Sequence, residues 1–272
     1  MTDTGPAAEP DLSRIDLTRA SAARVYDYYL GGFHNFPIDR DLGEATIALN
    51  PDARSGARAA RAFLRRAVTH LTADLGVQQF LDLGSGIPTA GNVHEIAQAV
   101  DPAARVVYID VDPVAVAHGE MILADNPNAR AAQADLRDPD TILGLPAVRD
   151  LIDPTRPTAL LLSLVLHFVA DEDDPAGLIR RYREALGSGS WLALSHATRE
   201  FQPAQAQVSD LYRQRAASPV HHRDRDEVMS LLDGYRLIPP GLVLLTQWRP
   251  GRVADEVFPE RVPAWAGVAR AS

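Results

Sequence analysis

The chain has 272 residues, 46% of them hydrophobic, so it is long enough to bury a substantial core and is not disordered as a whole. Its formal net charge of −9 argues against a nucleic-acid partner, because phosphate binding requires a basic surface. The absence of cysteine excludes disulfides, thiolate nucleophiles and cysteine metal sites.

Residues 1–15 are polar and include two prolines, which is typical of a mobile tail, and they lack the features of a signal peptide. No apolar run in the chain is long enough to span a bilayer. We therefore expect a cytoplasmic protein with no membrane partner. No metal site is predicted either, because the pair His94-Glu95 is followed by Gln98 where the zinc-protease motif has its second histidine.

Residues 21–30 predict an aromatic-rich helix that ends at Gly31-Gly32, and the stretch FHNFPIDRD follows it. Two interpretations of residues 23–40 stay open. The tyrosines either pack on the core, or the segment folds over a ligand site as a lid. In the second interpretation the cofactor or acceptor site includes the side chains of Tyr26, Tyr28, His34 and Asn35.

Residues 57–75 have apolar side chains at helical spacing and lead into the strand that ends at Leu83. Gly84-Ser85-Gly86 then forms a turn, and residues 93–100 predict a helix whose start could hold a ligand on backbone N–H groups. The dinucleotide pattern is incomplete, since Thr89 replaces its third glycine. Asp82 would repel a pyrophosphate and attract an ammonium and a sulfonium, which favours S-adenosylmethionine over NAD.

Acidic residues also end the next two predicted strands. Residues 105–109 end at Asp110, and because Asp112 can cap and Pro113 can begin the following helix, Asp110 is available for ribose hydroxyls. The alternative is that Asp110 is only a partner of the cap. Asp135 ends a weak third strand and could accept a hydrogen bond from an adenine amino group.

Residues 157–168 are the most hydrophobic stretch and predict a central parallel strand. Ser163 and His167 lie near its carboxyl end, where open α/β sheets bind ligands. A buried, hydrogen-bonded histidine is an equally good interpretation of His167. The acidic run 171–174 is predicted to cap and solvate the following helix.

The remaining elements are a fifth strand at 191–195, helices at 204–217 and 224–232, and a hairpin formed by 235–238 and 242–248. These elements predict an α/β fold with a Rossmann-like, mostly parallel sheet, an antiparallel closing hairpin, flanking helices and an N-terminal helical extension. We expect a tail and lid-like extension at 1–56, a cofactor-binding domain at 57–250 and a C-terminal tail at 251–272.

The combination of ARVYDYYLGGFHNF, QFLDLGSGIPTAGNVHEIAQ, ARVVYIDVDPVAVAH, QADLRDP, ALLLSLVLHFV and LSHAT covers most of the chain between residues 23 and 196. With these motifs the chain resembles class I S-adenosylmethionine-dependent methyltransferases. Within that class it is most similar to the actinobacterial S-adenosyl methyltransferase family, formerly a domain of unknown function. It departs from the family pattern at Val111, where Asn is usual, and at Phe33-His34, where Lys-Asp is common.

The resemblance implies S-adenosylmethionine as cofactor, with its methionine part at the glycine turn, its ribose at Asp110 and its adenine amino group at Asp135. The full predicted cofactor site consists of Asp82, Gly84, Ser85, Gly86, Asp110, Val111, Asp135, Leu136, Ser163, Tyr26 and Asn35.

The expected function is methyl transfer to a small-molecule acceptor, with secondary metabolites among the candidates. If the acceptor must lose a proton, the candidate bases are His167, His34 and Tyr28. Two alternatives remain: a non-catalytic module that binds S-adenosylmethionine or S-adenosylhomocysteine, and an NAD-dependent oxidoreductase. The sequence predicts no oligomeric state.

Overall fold

The computed structural model describes residues 15–88, 91–251 and 261–272. Nearly all of the predicted N-terminal tail, Thr89 and residues 252–260 of the predicted C-terminal tail lie outside these ranges. The strands are β1 Gln79–Leu83, β2 Arg105–Asp110, β3 Ala129–Gln133, β4 Ala159–Ser163, β5 Trp191–Ala197, β6 Tyr235–Leu237, β7 Val243–Leu244 and β8 Ala264–Ala271.

The helices are α1 Ala22–Leu30, α2 Pro37–Leu49, α3 Ala53–Ala73, α4 Val93–Val100, α5 Pro113–Ile122, α6 Pro139–Gly144, α7 Pro146–Leu151, α8 Pro175–Leu186, α9 Gln205–Arg215 and α10 Arg225–Ser230. Single 3-10 turns lie at Leu166–Phe168, Asp171–Asp173 and Leu245–Gln247. Gly31 ends α1 in the left-handed conformation, and Asp112 and Pro113 begin α5, as the sequence predicts.

The strands form one sheet in the order β3-β2-β1-β4-β5-β8-β6, with β7 also paired to β8. Strands β1 to β5 run parallel, and β8 is antiparallel to β5, β6 and β7. The fold class is therefore confirmed. The prediction that residues 235–238 and 242–248 pair as a hairpin is wrong, because β6 and β7 each pair with β8, which also occupies the place beside β5. The prediction that residues 251–272 form a tail is wrong for this strand.

Side chains of β1 alternate between two apolar layers, as expected for a strand covered on both faces. Phe80 packs in a cluster with Phe63 of α3 and Ile96 of α4. Leu81 packs on the opposite face with Ile179 of α8. Full burial of each such side chain stabilises the fold by about 1.5–3 kcal/mol, so these two layers hold the sheet that positions the site.

The N-terminal helices pack into a third apolar cluster. Val25 and Tyr29 of α1 join Leu42 of α2, and Tyr212 of α9 completes the contact from the far end of the chain. A short parallel bridge between Ala20 and Ala216 ties the two segments through their backbones. The extension is thus packed on α9, above the edge where the parallel strands end.

Within residues 15–88, 91–251 and 261–272, no helix combines the length and the apolar character that a membrane crossing requires.

Candidate functional site

A cavity of about 730 Å³ lies at the carboxyl ends of the parallel strands. The loops after β1, β2, β3 and β4 form one side of it. Helices α1 and α9 and residues 217–222 form the other side. The side formed by the strand ends includes Gly84, Ser85, Gly86, Asp110, Val111, Asp135, Leu136 and Ser163, all predicted cofactor residues.

The glycine turn brings the backbone to the cavity. The backbone N–H groups of Gly84 and Ser85 both donate to the carbonyl oxygen of Ile109, at 2.7 and 3.2 Å, which fixes the turn against β2. Gly84 and Gly86 have φ of +65° and +68°, a conformation that favours glycine. A Cβ on Gly84 would lie 2.1 Å from the side chain of Val165, whereas one on Gly86 would meet nothing within 4 Å. Gly86 therefore leaves open space at the cavity wall.

Asp110 is buried and is held by two backbone donors. Its Oδ2 accepts from the N–H of Gly86 at 2.7 Å, and its Oδ1 accepts from the N–H of Asp112 at 2.9 Å. Burial raises the pKa of Asp110 to about 6 against the opposing effect of these bonds. Asp112, not Asp110, caps α5 by accepting from Val114 at 2.8 Å. Asp110 thus has lone pairs left for a ligand.

Asp82 is buried and is not part of the cavity wall, so it lies behind the glycine turn. Burial raises the pKa of Asp82 to about 7; the positive charge of Arg61 lowers it and the negative charge of Asp110 raises it. The carboxyl group therefore does not contact the cavity directly.

Asp135 is engaged by Arg137. The guanidinium of Arg137 donates to both carboxylate oxygens of Asp135, at distances down to 2.6 Å, and lies 3.4 Å from Asp173. Burial raises the pKa of Asp135, but the bonds and charge of Arg137 outweigh it and the pKa is lowered. An adenine amino group would have to share these oxygens with Arg137. Ser163 lies at the end of β4, with its Oγ 3.3 Å from that of Ser195.

His167 lies on the 3-10 turn after β4, where it is buried at the cavity wall. Among the described residues its Nδ1 has no hydrogen-bond partner, and its backbone oxygen accepts from the N–H of His221 at 2.7 Å. Burial, and after it the positive charges of neighbouring groups, hold the pKa of His167 well below its usual range. The interpretation of His167 as a hydrogen-bonded core residue does not fit Nδ1.

His196 and Arg223 stand behind His167, with the two imidazole centroids 5.8 Å apart. His196 Nδ1 lies 2.7 Å from the carbonyl oxygen of Ala197, and Arg223 donates to Nε2 at 2.9 Å, so Nδ1 carries the proton of a neutral ring. Arg223 also binds Asp171 at 2.6 Å. The acidic run is therefore not only a cap: Asp174 caps α8, while Asp171 pairs with a buried arginine.

The candidate site residues of the N-terminal segment lie in different places. Tyr26 lines the cavity and donates to the carbonyl oxygen of Ala57 at 2.9 Å. Tyr28 lies outside the cavity wall, where its hydroxyl binds Glu44 and Arg54 lies over its ring. His34 and Asn35 line a second cavity of about 520 Å³. The structure thus does not bring Tyr28, His34 and Asn35 together with His167 and Asp110.

Two features of that segment were missed by the sequence analysis. The first is Arg24, which is 2% exposed, donates to Asp39 at 2.9 Å and lies 3.4 Å from Asp112. The second is Asp27, a buried carboxylate that accepts from Asn35 Nδ2 and from the backbone of His34. The clustering of Asp39 and Arg40 in a ligand-like stretch was the available signal, and it reflected this internal network.

Comparison with known proteins places these features in context. A family model described as S-adenosyl methyltransferase matches residues 8–272. A DUF574 family protein from Streptomyces avermitilis MA-4680 is 41% identical, with a TM-score of 0.91 over 95% of this chain and 100% of that chain. A proposed methyltransferase from Thermobifida fusca YX is 37% identical, with a TM-score of 0.89 over 94% of this chain and 97% of that chain.

A more distant structure is the trans-methyltransferase CalH in complex with SAH, 15% identical, with a TM-score of 0.53 over 85% of this chain and 64% of that chain. At this identity the likeness shows the fold alone. None of the curated proteins compared with the chain matches it.

Proposed function

The chain belongs to the S-adenosyl methyltransferase family, with S-adenosylmethionine as cofactor, and from this premise we propose that it methylates a small-molecule acceptor held in the 730 Å³ cavity. The observation that carries the proposal is that one cavity joins the strand-end residues to an aromatic surface on α1 and α9. A donor site and an acceptor site would then share one cavity.

The residues at the strand ends fit the cofactor. Gly86 leaves room for close approach of the methionine part, and the carboxyl group of Asp82, once ionised, would suit an ammonium and a sulfonium. Asp110, held by two backbone donors, is oriented to accept from ribose hydroxyls with its remaining lone pairs. Val111 and Leu136 would flank the adenine ring. These assignments are proposals that the geometry supports.

When bound, S-adenosylmethionine supplies a methyl group already activated by its positively charged sulfur. The chain then has to align the acceptor atom about 3 Å from that carbon, in line with the bond that breaks, and to exclude water. Tyr26 and Tyr29 of α1 and Tyr212 of α9 line the cavity opposite the strand ends. The packed N-terminal extension would in this way shield the reaction from solvent.

The size of the cavity supports a small acceptor. Ligand cavities for small molecules commonly measure about 300–1,000 Å³, and this one falls within that range after allowance for a nucleoside cofactor. A macromolecular acceptor would need an open approach to the methyl group, whereas residues of α1 and α9 line this cavity. The net charge of −9 also weighs against a nucleic-acid substrate.

A thermal-shift panel of S-adenosylmethionine, S-adenosylhomocysteine, NAD and NADP tests the cofactor part of the proposal. We expect S-adenosylhomocysteine to raise the melting temperature, since a ligand that binds only the folded state stabilises it. A larger shift with NAD would contradict the assignment. A non-catalytic module would bind S-adenosylhomocysteine but would release none from S-adenosylmethionine in the presence of a pool of small-molecule acceptors.

A further inference from the structure

Five side chains form a continuous surface of the cavity beyond the cofactor residues, which we term the aromatic wall: Tyr26, Tyr29, His167, Phe168 and Tyr212. The rings of His167 and Phe168 lie 4.3 Å apart between centroids, and those of Phe168 and Tyr212 lie 6.4 Å apart. The hydroxyl oxygens of Tyr29 and Tyr212 are 3.4 Å apart. Such a surface suits the faces and edges of an aromatic ligand.

Most of the charged groups that line the cavity are already paired. Among the described residues four arginines line the cavity: Arg19, Arg24, Arg137 and Arg261. Arg24, Arg137 and Arg261 form ion pairs with aspartates, and Arg19 donates to the carbonyl oxygen of Arg213 at 3.3 Å. An anionic acceptor would have to compete with an aspartate for Arg24, Arg137 or Arg261, and a cationic acceptor with an arginine for Asp52, Asp112 or Asp135. The lining residues without an ion-pair partner among the described residues include Asp16 and Arg19, and both are exposed.

His167 is the residue of the aromatic wall that has an unsatisfied hydrogen-bonding group. Neither ring nitrogen of His167 has a hydrogen-bond partner among the described residues; because Nδ1 has no accessible surface, Nε2 is the nitrogen that a ligand hydroxyl in the cavity can reach. His196 behind it cannot supply the bond, because its Nδ1 contacts Ala197 and its Nε2 accepts from Arg223. We infer that the acceptor is a neutral aromatic hydroxyl compound, methylated on oxygen, and that His167 takes up the hydroxyl proton.

In this step the hydroxyl oxygen attacks the methyl carbon, a C–O bond forms and the C–S bond breaks. The electron pair of the C–S bond stays on sulfur, which leaves S-adenosylhomocysteine. The oxygen becomes positively charged as the bond forms, so its proton is strongly acidic and passes to Nε2 of His167. A weak base is sufficient. Burial and the nearby His196, His222, Arg223 and His221 lower the pKa of His167, which keeps its ring unprotonated through mildly acidic pH.

The inference rests on the proposed function, and the test separates the two. The full-length protein is incubated with S-adenosylmethionine carrying a deuterated methyl group and, separately, with naphthol, naphthoic acid or naphthylmethylamine, which are neutral, anionic and cationic versions of one scaffold. Mass spectrometry identifies the products, and calorimetry measures the binding of each probe to the complex with S-adenosylhomocysteine. The affinity for S-adenosylhomocysteine is measured separately, as the check on the proposed function.

We expect naphthol to bind the S-adenosylhomocysteine complex about tenfold more tightly than either charged probe and to yield its methyl ether. His167→Gln should lower kcat for the ether by about 100-fold and leave S-adenosylhomocysteine affinity unchanged. Between mildly acidic and neutral pH, kcat of the parent should be constant, whereas kcat of His167→Gln should change with pH. The matched control, His118→Gln, lies in the second cavity and should behave as the parent does.

Preferential binding of naphthoic acid or naphthylmethylamine would overturn the inference, as would failure of naphthol both to bind and to react while S-adenosylhomocysteine binds. An undiminished kcat in His167→Gln would overturn the role of His167. Loss of S-adenosylhomocysteine binding by the unmodified protein would instead contradict the proposed function itself.

Discussion

The guanidinium of Arg24 lies 3.4 Å from the carboxylate of Asp112, which joins α1 to the loop that directly follows the proposed ribose-binding residue Asp110. Arg24 reaches this position with 2% of its surface exposed, and it holds Asp39 of α2 at the same time. One buried arginine therefore links the N-terminal extension to the cofactor side of the cavity. Movement of α1 and order in the loop around Asp112 should depend on each other.

Arg24→Ala should lower the free energy of unfolding by about 3–5 kcal/mol, because it leaves Asp39 as a buried charge without its partner. The matched control is Arg54→Ala, which removes an exposed pair with Glu44 and should cost no more than about 1 kcal/mol. Urea unfolding measures both. Equal stability of the two variants would refute the link.

In addition, S-adenosylhomocysteine should slow amide hydrogen exchange across residues 23–40 of the parent.

Gly86→Ala should fold yet lose cofactor binding, because its Cβ would enter open space that we assign to the methionine part. Gly76→Ala is the matched control: Gly76 has φ of +67° against +68° for Gly86, also meets nothing within 4 Å, and does not line the cavity. Both variants should lose about 1–2 kcal/mol from the left-handed conformation. Only Gly86→Ala should weaken S-adenosylhomocysteine affinity in calorimetry, and equal affinities would place the cofactor elsewhere.

Asp110→Ala should weaken S-adenosylhomocysteine binding by tenfold or more, since charge-assisted hydrogen bonds are worth about 1.5–3 kcal/mol each. The change also leaves the N–H groups of Gly86 and Asp112 without their acceptor, so some stability is lost. Asp125→Ala, an exposed aspartate outside the cavity wall, is the control for a change in net charge. An unchanged dissociation constant in Asp110→Ala would remove Asp110 from the site.

Asp82 should make the protein less stable as the pH rises. Its pKa is raised to about 7 in the folded state, from an ordinary value near 3.8, so the folded state holds the proton more tightly than the unfolded state. Its stabilising contribution is complete below pH 3.8 and is lost as the pH rises to about 7. Because a tenfold difference in proton affinity between the two states corresponds to about 1.4 kcal/mol, the loss approaches about 4 kcal/mol.

Asp82→Asn removes this titration, so the parent minus Asp82→Asn difference in the free energy of unfolding should fall between about pH 4 and about pH 7 and stay constant above. Urea titrations of both proteins at matched pH provide the measurement. A difference that stays flat across this range would show that Asp82 titrates normally in the folded protein.

Local patterns were sufficient to predict the parallel half of the sheet and its acidic strand ends. The glycine turn follows β1, Asp110 is the last residue of β2 and Asp135 lies two residues after β3, and parallel strands place their carboxyl ends at one edge. Strand β8 was missed because its sequence, AWAGVARA, is rich in alanine and glycine, which are poor strand formers. Its eight residues are held by pairing on both sides, a property of tertiary structure.

The positions of the N-terminal candidates were also beyond local reasoning. Tyr26 and Tyr28 are two residues apart on a helix, about 200° around its axis, so they cannot both face one cavity. Composition alone did not decide which one faces inward. The buried Arg24 pairs with residues that are 15 and 88 positions later in the chain, at Asp39 and Asp112, and such contacts depend on how the helices pack.

Strand β8 has a consequence for how the protein is made. It is the last of the described strands to be synthesised, yet it lies between β5 and β6 and also holds β7. Until Ala264–Ala271 has been translated, the outer edge of β5 has no neighbour, and exposed strand edges invite pairing with other chains. A chain whose synthesis pauses before this strand therefore leaves the edge of β5 open to pairing with other chains until Ala264–Ala271 occupies it.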